Sequence, residues 1–351
     1  MADRVKIEKD AGGVYYDDPR HVGTFSTGSA LLDCVLGGGY AEDRMINIVG
    51  DKSTNKTGLI IEAADQFKLK YQNGIVRIVE AEAAFAKEYA DSLGLPEDTE
   101  FAGEAEGEEE IDTVEKWFAD LEDTAERALK EGRRCLYLVD SLDALSDKAE
   151  QEADFTDATY GTQKAKALSK LFRKLVKKLA RCHVTLIIVS QIRDKIGVTF
   201  GKKTQRAGGR GMDFYASQVV WLAHISRLSK TRGGQKRDYG IRVKAKCEKN
   251  KIGRPFRECE FDIEWDYGVE DLKSNVRWLL EVKEVDGLFD SLADAKAFLK
   301  GVDALDEEAY WEETTKVADE VKRVWRDIET RFAPKRNKRA RPGRMEQEAE
   351  A

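Results

Sequence analysis

The sequence has few cysteines, few histidines and no long apolar segment. Its five cysteines include no Cys-x-x-Cys pair, and its three histidines match no metal-ligand spacing. No apolar run approaches the roughly 18 residues that cross a membrane, and the N-terminus lacks the apolar segment of a secretory signal. We therefore expect a cytoplasmic protein with reduced thiols and no membrane contact.

A large excess of positive or negative charge is also lacking. Charged residues make up 36% of the 351 residues and apolar residues 41%, which is enough for a folded core. The net charge is −7, so any binding of nucleic acid must come from a local basic surface. The length allows two domains.

Short apolar runs alternate with helical patterns. The predicted strands are 44–49, 74–80, 135–140, 184–190, 217–224, 239–246 and 259–265. The predicted helices are 57–70, 82–93, 111–131, 161–181, 290–300 and 306–331. Strand–helix alternation predicts an α/β fold with a mainly parallel sheet, and the late strands without intervening helices predict an antiparallel edge.

Three segments stand apart by charge. Residues 97–112 are strongly acidic, which is typical of a solvated loop. Residues 334–344 are basic and 345–351 acidic, so we expect 334–351 to be a disordered tail. The basic cluster could contact DNA or simply aid solubility.

A candidate phosphate loop lies between a predicted strand and a predicted helix. This is the setting of a Walker A loop, in which backbone N–H groups cradle phosphate. Lys56 would reach the β and γ phosphates of a nucleotide, and the Thr57 hydroxyl would bind Mg²⁺. Asn55 stands where the pattern favours glycine, but Asn tolerates a left-handed backbone. The alternative is an ordinary turn with a helix cap. The loop residues are Gly50, Asp51, Lys52, Ser53, Thr54, Asn55, Lys56 and Thr57.

Acidic residues end two further apolar strands. Asp140, in LVDS (138–141), fits a Walker B acid that holds Mg²⁺ through water, or else a helix cap. Glu80 and Glu82 end another strand, and one of them could deprotonate an attacking water. The alternative is a helix start that favours acidic residues.

Several motifs in one order resemble the RecA recombinase family over about residues 26–265. They include STGSALLDCVLGGG (26–39), VEAEAAFAKEYADSLGL (79–95), LYLVDSLDALSDKAE (136–150), VSQIRDKIGVTFG (189–201), AGGRGMDFYAS (207–217) and RVKAKCEKNKIGRPFRECEFDI (242–263). The resemblance implies a RecA-type P-loop NTPase core at 26–268. It also implies an oligomerisation segment at 1–25 and a small helical C-terminal domain at 269–333. The short N-terminus and Asn55 suggest a divergent, phage-encoded member.

The resemblance also implies roles in ATP hydrolysis. Glu82 matches the catalytic glutamate, and Lys56 belongs to the same catalytic set. Tyr89 matches the aromatic residue that stacks on adenine. Gln191 matches the glutamine that senses the γ-phosphate and links it to DNA.

Further roles lie at an interface between subunits. Lys249 and Lys251 resemble lysines that reach the neighbouring subunit's ATP, so that each active site would form between two subunits. Phe214 resembles an interface aromatic residue, and plain core packing is the alternative.

Two loops are expected to contact DNA, near 152–166 and near 192–211. The second is rich in cations and glycines, which suits contact with a phosphate backbone without reading bases. A solvated basic face is the alternative for the helix after the first loop. The candidate DNA-binding residues are Tyr160, Gly161, Lys166, Arg173, Arg193, Lys195, Ile196, Lys202, Lys203, Arg206, Gly208, Gly209 and Arg210.

These features favour an ATP-dependent recombinase with DNA-dependent ATPase activity. It would form helical filaments on single-stranded DNA, pair them with double-stranded DNA and exchange strands. A mediator or single-strand-binding protein is a candidate partner. The alternatives are a hexameric helicase or motor with the same core, and an ATP-gated DNA-coating protein with weak hydrolysis.

Overall fold

The computed structural model describes residues 22–82, 86–146, 160–194, 204–205 and 209–336. For 160–167, 193–194, 204–205 and 209–210 only the backbone is considered. The strands are β1 (Thr24–Phe25), β2 (Tyr40–Ala41), β3 (Met45–Gly50), β4 (Ile75–Glu80), β5 (Glu100–Phe101), β6 (Cys135–Asp140), β7 (Val184–Gln191), β8 (Arg193–Asp194), β9 (Thr204–Gln205), β10 (Gln218–Arg232), β11 (Gln235–Asn250), β12 (Arg257–Glu264) and β13 (Gly268–Glu270). The helices are α1 (Ala30–Leu36), α2 (Lys56–Lys70), α3 (Lys87–Ser92), α4 (Val114–Glu131), α5 (Tyr160–Cys182), α6 (Gly209–Tyr215), α7 (Asp271–Val282), α8 (Leu292–Gly301) and α9 (Glu307–Arg331).

The main sheet joins nine strands of the described residues in the order β13-β12-β11-β10-β3-β7-β6-β4-β5. The pairings from β10 to β5 are parallel, and those from β10 to β13 are antiparallel. The predicted α/β fold, with a mainly parallel sheet and an antiparallel edge, is confirmed. Because parallel strands run in one direction, β3, β4, β6 and β7 end at the same edge of the sheet.

The two faces of the sheet bury different side chains of the same strands. Along β3, Ile46 and Ile48 pack in the cluster that contains α1 and α2. Met45 and Val49 pack in the opposite cluster, with α4 and α5. Every residue of β3 and β6 is buried, as expected of central parallel strands covered on both sides.

The C-terminal helices share the first of these two clusters. Val276 on α7 and Val321 on α9 belong to the same buried cluster as Leu31 on α1. The rings of Trp278 and Trp325 pack at a tilt, with 5.6 Å between their centroids. The segment after residue 270 therefore packs directly on the core, and its assignment as a separate domain stays a prediction.

The β10–β11 hairpin is much longer than predicted. The strands extend to Arg232 and back from Gln235, joined at Gly233 and Gly234 with φ of 57° and 75°. Most residues between Ala223 and Lys236 are exposed, so the hydrophobic alternation that reveals a strand in sequence is missing there. Backbone pairing and the Gly-Gly turn form this part of the hairpin.

The acidic segment is only partly a solvated loop, which corrects the prediction. Arg77 is 5% exposed within β4, and its guanidinium lies 2.5 Å from Asp120, 3.0 Å from Glu108 and 3.3 Å from Glu100. A buried arginine thus anchors two acids of the segment to the sheet, while residues 104–110 stay exposed.

Most predicted helices agree with the structure within three residues. The helix predicted over 82–93 is the main difference, because its described helical part is Lys87–Ser92 and Glu82 lies in a bend. Residues 83–85 lie outside the described part. In the described chain, no helix has the length and apolar character that a membrane crossing requires.

Candidate nucleotide site

The 50–57 loop leaves the end of β3 and leads directly into α2. Asn55 has φ 57° and ψ 41°, the left-handed conformation for which glycine is favoured. Asn is among the few other residues that adopt it at modest cost. The loop backbone is therefore formed without glycine at this position.

Side chains of the loop hold its own backbone. The hydroxyl of the buried Thr54 donates a 2.8 Å hydrogen bond to the Asp51 carbonyl. The Lys56 ammonium donates to the same carbonyl at 2.8 Å. Burial lowers the pKa of Lys56, against the opposing effect of the nearby Asp140 and Glu82 carboxylates. An anionic ligand at the N-terminus of α2 would meet this cation and the helix dipole together.

Asn55 also restricts the next turn of α2. A Cβ atom on Gly58 would lie 2.2 Å from Asn55 Nδ2 and 2.7 Å from Asn55 Cγ. Real Cβ atoms do not approach other atoms this closely. The side chain of Asn55 thus fills the space that a side chain at position 58 would need.

Thr57 and Asp140 meet across the site. Thr57 Oγ1 donates a 2.5 Å hydrogen bond to Asp140 Oδ2, which joins the start of α2 to the end of β6. Burial raises the pKa of Asp140 to about 6, and the Glu82 charge adds to this rise. A hydroxyl and a carboxylate oxygen are the hard ligands that Mg²⁺ prefers. Together with the Lys56 ammonium they fit a nucleotide phosphate with Mg²⁺.

Glu82 is the centre of a second network beside this pair. Gln191 Nε2 donates a 2.6 Å hydrogen bond to Glu82 Oε1, and the Ser141 hydroxyl donates to the same oxygen. The Gln191 backbone N–H donates to Asp143 at 2.8 Å. Residues from three strand ends therefore converge on one carboxylate.

The structure separates the two predicted glutamates. Glu80 Oε1 accepts a 3.0 Å hydrogen bond from the Glu82 backbone N–H, so Glu80 stabilises the local bend. Glu82 instead faces Gln191 and Ser141. Sequence reasoning missed Ser141 and Asp143 as members of the site. The available signal was their position directly after Asp140, at the edge where ligands bind in α/β sheets.

Tyr89 lies on α3, against the hydrophobic cluster that contains α2. Burial raises the pKa of Tyr89, and the Asp266 charge adds to this effect. A hydrogen bond between the Tyr89 hydroxyl and the Asp266 backbone acts in the opposite direction. The stacking of Tyr89 on adenine stays a prediction.

Lys249 and Lys251 do not join the loop of their own chain. Lys249 Nζ donates to the Asp213 and Phe214 carbonyls at 2.5 and 2.8 Å, and Lys251 Nζ lies 3.4 Å from the Phe214 carbonyl. These carbonyls form the C-terminal end of α6, where cations are favoured. The lysines therefore sit near the start of β10, where Gln218 pairs with Ile46.

The distance to the loop follows from the strand register. Gly50 pairs with Leu222, four residues beyond Gln218, so the lysines and the loop lie about 13 Å or more apart along the strands. Phe214, beside the lysines, is 71% exposed. Core packing of this ring within one chain is therefore excluded.

The predicted DNA-binding residues are only partly described. Arg173 is exposed on α5, and Tyr160, Gly161 and Lys166 lie in its first turns. Arg193 lies in β8, where it pairs with Gln205 of β9. Gly209 and Arg210 begin α6. The remaining candidates lie outside the described residues: Lys195, Ile196, Lys202, Lys203, Arg206 and Gly208.

Comparison with known proteins agrees with this fold. A family model described as the RecA N-terminal domain matches residues 14–270. Protein RecA of Synechococcus sp. (strain WH7803) is 34% identical over 274 residues, covering 76% of this chain and 64% of that relative. Protein RecA of Prochlorococcus marinus (strain MIT 9211) is 34% identical over 270 residues, covering 75% and 66%. The chain thus spans just under two thirds of the length of these curated relatives. On the extent of the family match, the chain belongs to the RecA family.

Proposed function

We propose that this protein is an ATP-dependent DNA recombinase. It assembles into filaments on single-stranded DNA, hydrolyses ATP in a DNA-dependent manner, and pairs the bound strand with homologous double-stranded DNA. The observation that carries this proposal is the 2.6 Å hydrogen bond from Gln191 to Glu82. Gln191 immediately precedes the predicted DNA loop, so a change in that loop would act on the proposed catalytic base directly.

The residues of the site divide the work of hydrolysis. Bound ATP with Mg²⁺ supplies the phosphoanhydride bond that water cleaves. Lys56 offers its charge to the phosphates, while Thr57 and Asp140 would hold Mg²⁺, the acid through water. Glu82 accepts the proton of the attacking water, and Gln191 holds the carboxylate in place until then.

The position of Lys249 and Lys251 supports assembly as a condition for activity. They lie at the opposite end of the sheet from the loop of their own chain, together with the exposed Phe214. A head-to-tail contact would bring this end of one subunit to the nucleotide of the next. We propose that the two lysines complete the neighbour's site.

ATPase activity measured against single-stranded DNA concentration tests the proposal. We expect strong stimulation by single strands with Mg²⁺, weaker stimulation by duplex DNA, and loss of activity in Lys56→Ala. Lys130→Ala, which removes an exposed lysine at the end of α4, is the matched control and should behave as wild type. Activity that is independent of DNA would overturn the proposal.

Two further measurements separate the alternatives. Directional unwinding, or rings rather than helices in electron microscopy, would indicate a hexameric motor. Tight binding of ATP and DNA without turnover would indicate a coating protein. The left-handed backbone of Asn55 favours a working loop over that last alternative. A phage origin and a mediator partner stay predictions.

A further inference from the structure

The end of β11 and the turn that leads to β12 carry the two lysines proposed to act on the neighbouring subunit. We call residues 249–257 the interface loop. Lys249 and Lys251 contact the end of α6 on one side of it. Phe256 is 68% exposed at φ 65°, a backbone conformation that non-glycine residues rarely adopt. A loop with this geometry needs anchors that fix its course.

One anchor is Asn250, at the start of the loop. Its Nδ2 donates a 2.8 Å hydrogen bond to the Leu36 carbonyl at the end of α1. Its Oδ1 accepts hydrogen bonds from the backbone N–H groups of Ile252 and Gly253, at 3.1 and 3.0 Å. This residue fixes the first half of the loop.

The other anchor is Glu329, in the last turns of α9. Arg257 donates to both of its carboxylate oxygens, from Nε at 2.5 Å and from Nη2 at 2.8 Å. Arg254 Nη1 donates to Oε2 at 2.5 Å and reaches the Glu329 carbonyl at 3.3 Å. Two-point contacts between arginine and carboxylate are the strongest and most directional of ion pairs. The arginines lower the pKa of Glu329, so it is charged at neutral pH.

The negative charge of Glu329 compensates the positive charges of the interface loop. The interface loop holds four cations: Lys249, Lys251, Arg254 and Arg257. Glu329 brings an opposing charge from a different element, and two of the four cations meet on it. Without that charge, the like charges of the loop would repel one another in a half-exposed setting.

The helix that carries Glu329 is itself held firmly. Val317, Val321 and Val324 of α9 are buried in the cluster shared with α1 and the sheet. The carboxylate is thus delivered from a packed helix, which suits a residue that positions others.

We propose that Glu329 is a positioning residue for the reaction between subunits. Through Arg254 and Arg257 it fixes the interface loop beside the end of α6, where the Lys249 and Lys251 ammonium groups rest on carbonyls. From this position the two lysines would turn to the phosphates bound by the next subunit. This inference rests on the proposed recombinase function, and it gives the C-terminal helix a part in each shared active site.

The test compares Glu329→Gln with Asp327→Asn in the full-length protein. Asp327 is an exposed acid on the same helix that pairs with Arg323, so its substitution changes charge equally. The readouts are the protein concentration that gives half-maximal DNA-dependent ATPase, and the affinity of unassembled protein for a fluorescent ATP analogue. We expect Glu329→Gln to raise that concentration several-fold while leaving the affinity unchanged. Asp327→Asn should match wild type in both.

A second comparison distinguishes positioning from loss of fold. If Glu329 acts through the lysines, adding Glu329→Gln to the double variant Lys249→Ala, Lys251→Ala should not weaken assembly on single-stranded DNA any further, as measured by light scattering. Additive defects, or equal behaviour of Glu329→Gln and Asp327→Asn, would overturn the inference. If Glu329→Gln fails to fold, the double variant Arg254→Gln, Arg257→Gln removes the same ion pairs by changing the arginines. It should raise the protein concentration for half-maximal ATPase in the same way. Absence of DNA-dependent ATPase in wild type would instead refute the proposed function.

Discussion

The contact between Asn55 and Gly58 leads to a prediction about coupled substitutions. A glycine inside a helix ordinarily costs about 0.5–1 kcal/mol relative to alanine, so Gly→Ala should stabilise. At Gly58 the added Cβ would instead meet Asn55 Nδ2 at 2.2 Å. We therefore expect Gly58→Ala to bring no stabilisation in the wild-type protein and to stabilise the Asn55→Gly protein.

The magnitude follows from two opposing effects. The amide end of Asn55 must leave its rotamer to admit the added Cβ, which costs about 0.5–1.5 kcal/mol and offsets the helix gain while Asn55 is present. In the Asn55→Gly background the obstacle is gone, and about 0.5–1 kcal/mol of the helix gain should appear. The coupling energy between the two positions should therefore be on the order of 1 kcal/mol.

Urea unfolding of the wild type, the two single variants and the double variant measures this coupling. Gly301→Ala is the control, because a Cβ there would meet no atom within 4 Å. Its effect should be the same in both Asn55 backgrounds. We also expect Asn55→Gly to change ATP turnover by less than about threefold, since the loop already has the required backbone conformation.

Additive effects of the two substitutions would refute this prediction. If Gly58→Ala changes stability equally whether residue 55 is Asn or Gly, the side chain of Asn55 does not fill the space beside position 58. A large rise in turnover of Asn55→Gly would show that asparagine impairs the wild-type loop, which would favour the coating-protein alternative.

Three other predictions concern single residues. Ser141→Ala removes one of two donors to Glu82 and should lower kcat about tenfold with little change in KM, since hydrogen bonds to charged groups contribute about 1.5–3 kcal/mol; a change in KM alone would contradict this. Arg77→Met should destabilise the fold by about 3–5 kcal/mol in urea, because it leaves the Asp120 carboxylate without its cationic partner; Arg133→Met, at a more exposed pair with Glu131, is the control. Burial raises the pKa of Asp271 to about 7. The folded state then binds a proton that the unfolded state releases, so stability falls as pH rises from about 4 to 7, by up to about 1.4 kcal/mol per pH unit. Asp271→Asn should flatten this slope, and an unchanged slope would refute the assignment.

The central strands could be predicted from sequence because burial on both faces leaves continuous apolar runs. The run predicted at 44–49 is β3 at Met45–Gly50, and the run at 135–140 is β6 with the same bounds. The distal half of the β10–β11 hairpin could not be predicted this way. Its residues are exposed on both faces, and only backbone pairing makes them strands.

Individual site residues at the ends of strands could be predicted from sequence, but the contacts that join different strand ends could not. Thr57 and Asp140 each followed from a local pattern, and their 2.5 Å contact confirms that they meet. The bond between Glu82 and Gln191 joins residues 109 positions apart, which no local periodicity reveals. The anchoring of the acidic segment was missed because the apolar pattern around Arg77 does not show which acids pair with it. A buried arginine requires such partners, and here they are distant in sequence.

Mixing two inactive variants tests most directly whether active sites form between subunits. Lys56→Ala lacks the lysine of the phosphate loop but keeps Lys251. Lys251→Ala lacks Lys251 but keeps an intact phosphate loop. In a head-to-tail assembly, an intact loop of one variant meets the intact Lys251 of the other at about one quarter of the junctions of an equal mixture. We expect the mixture to recover roughly that fraction of wild-type DNA-dependent ATPase. Activity no greater than the sum of the separate variants would contradict it.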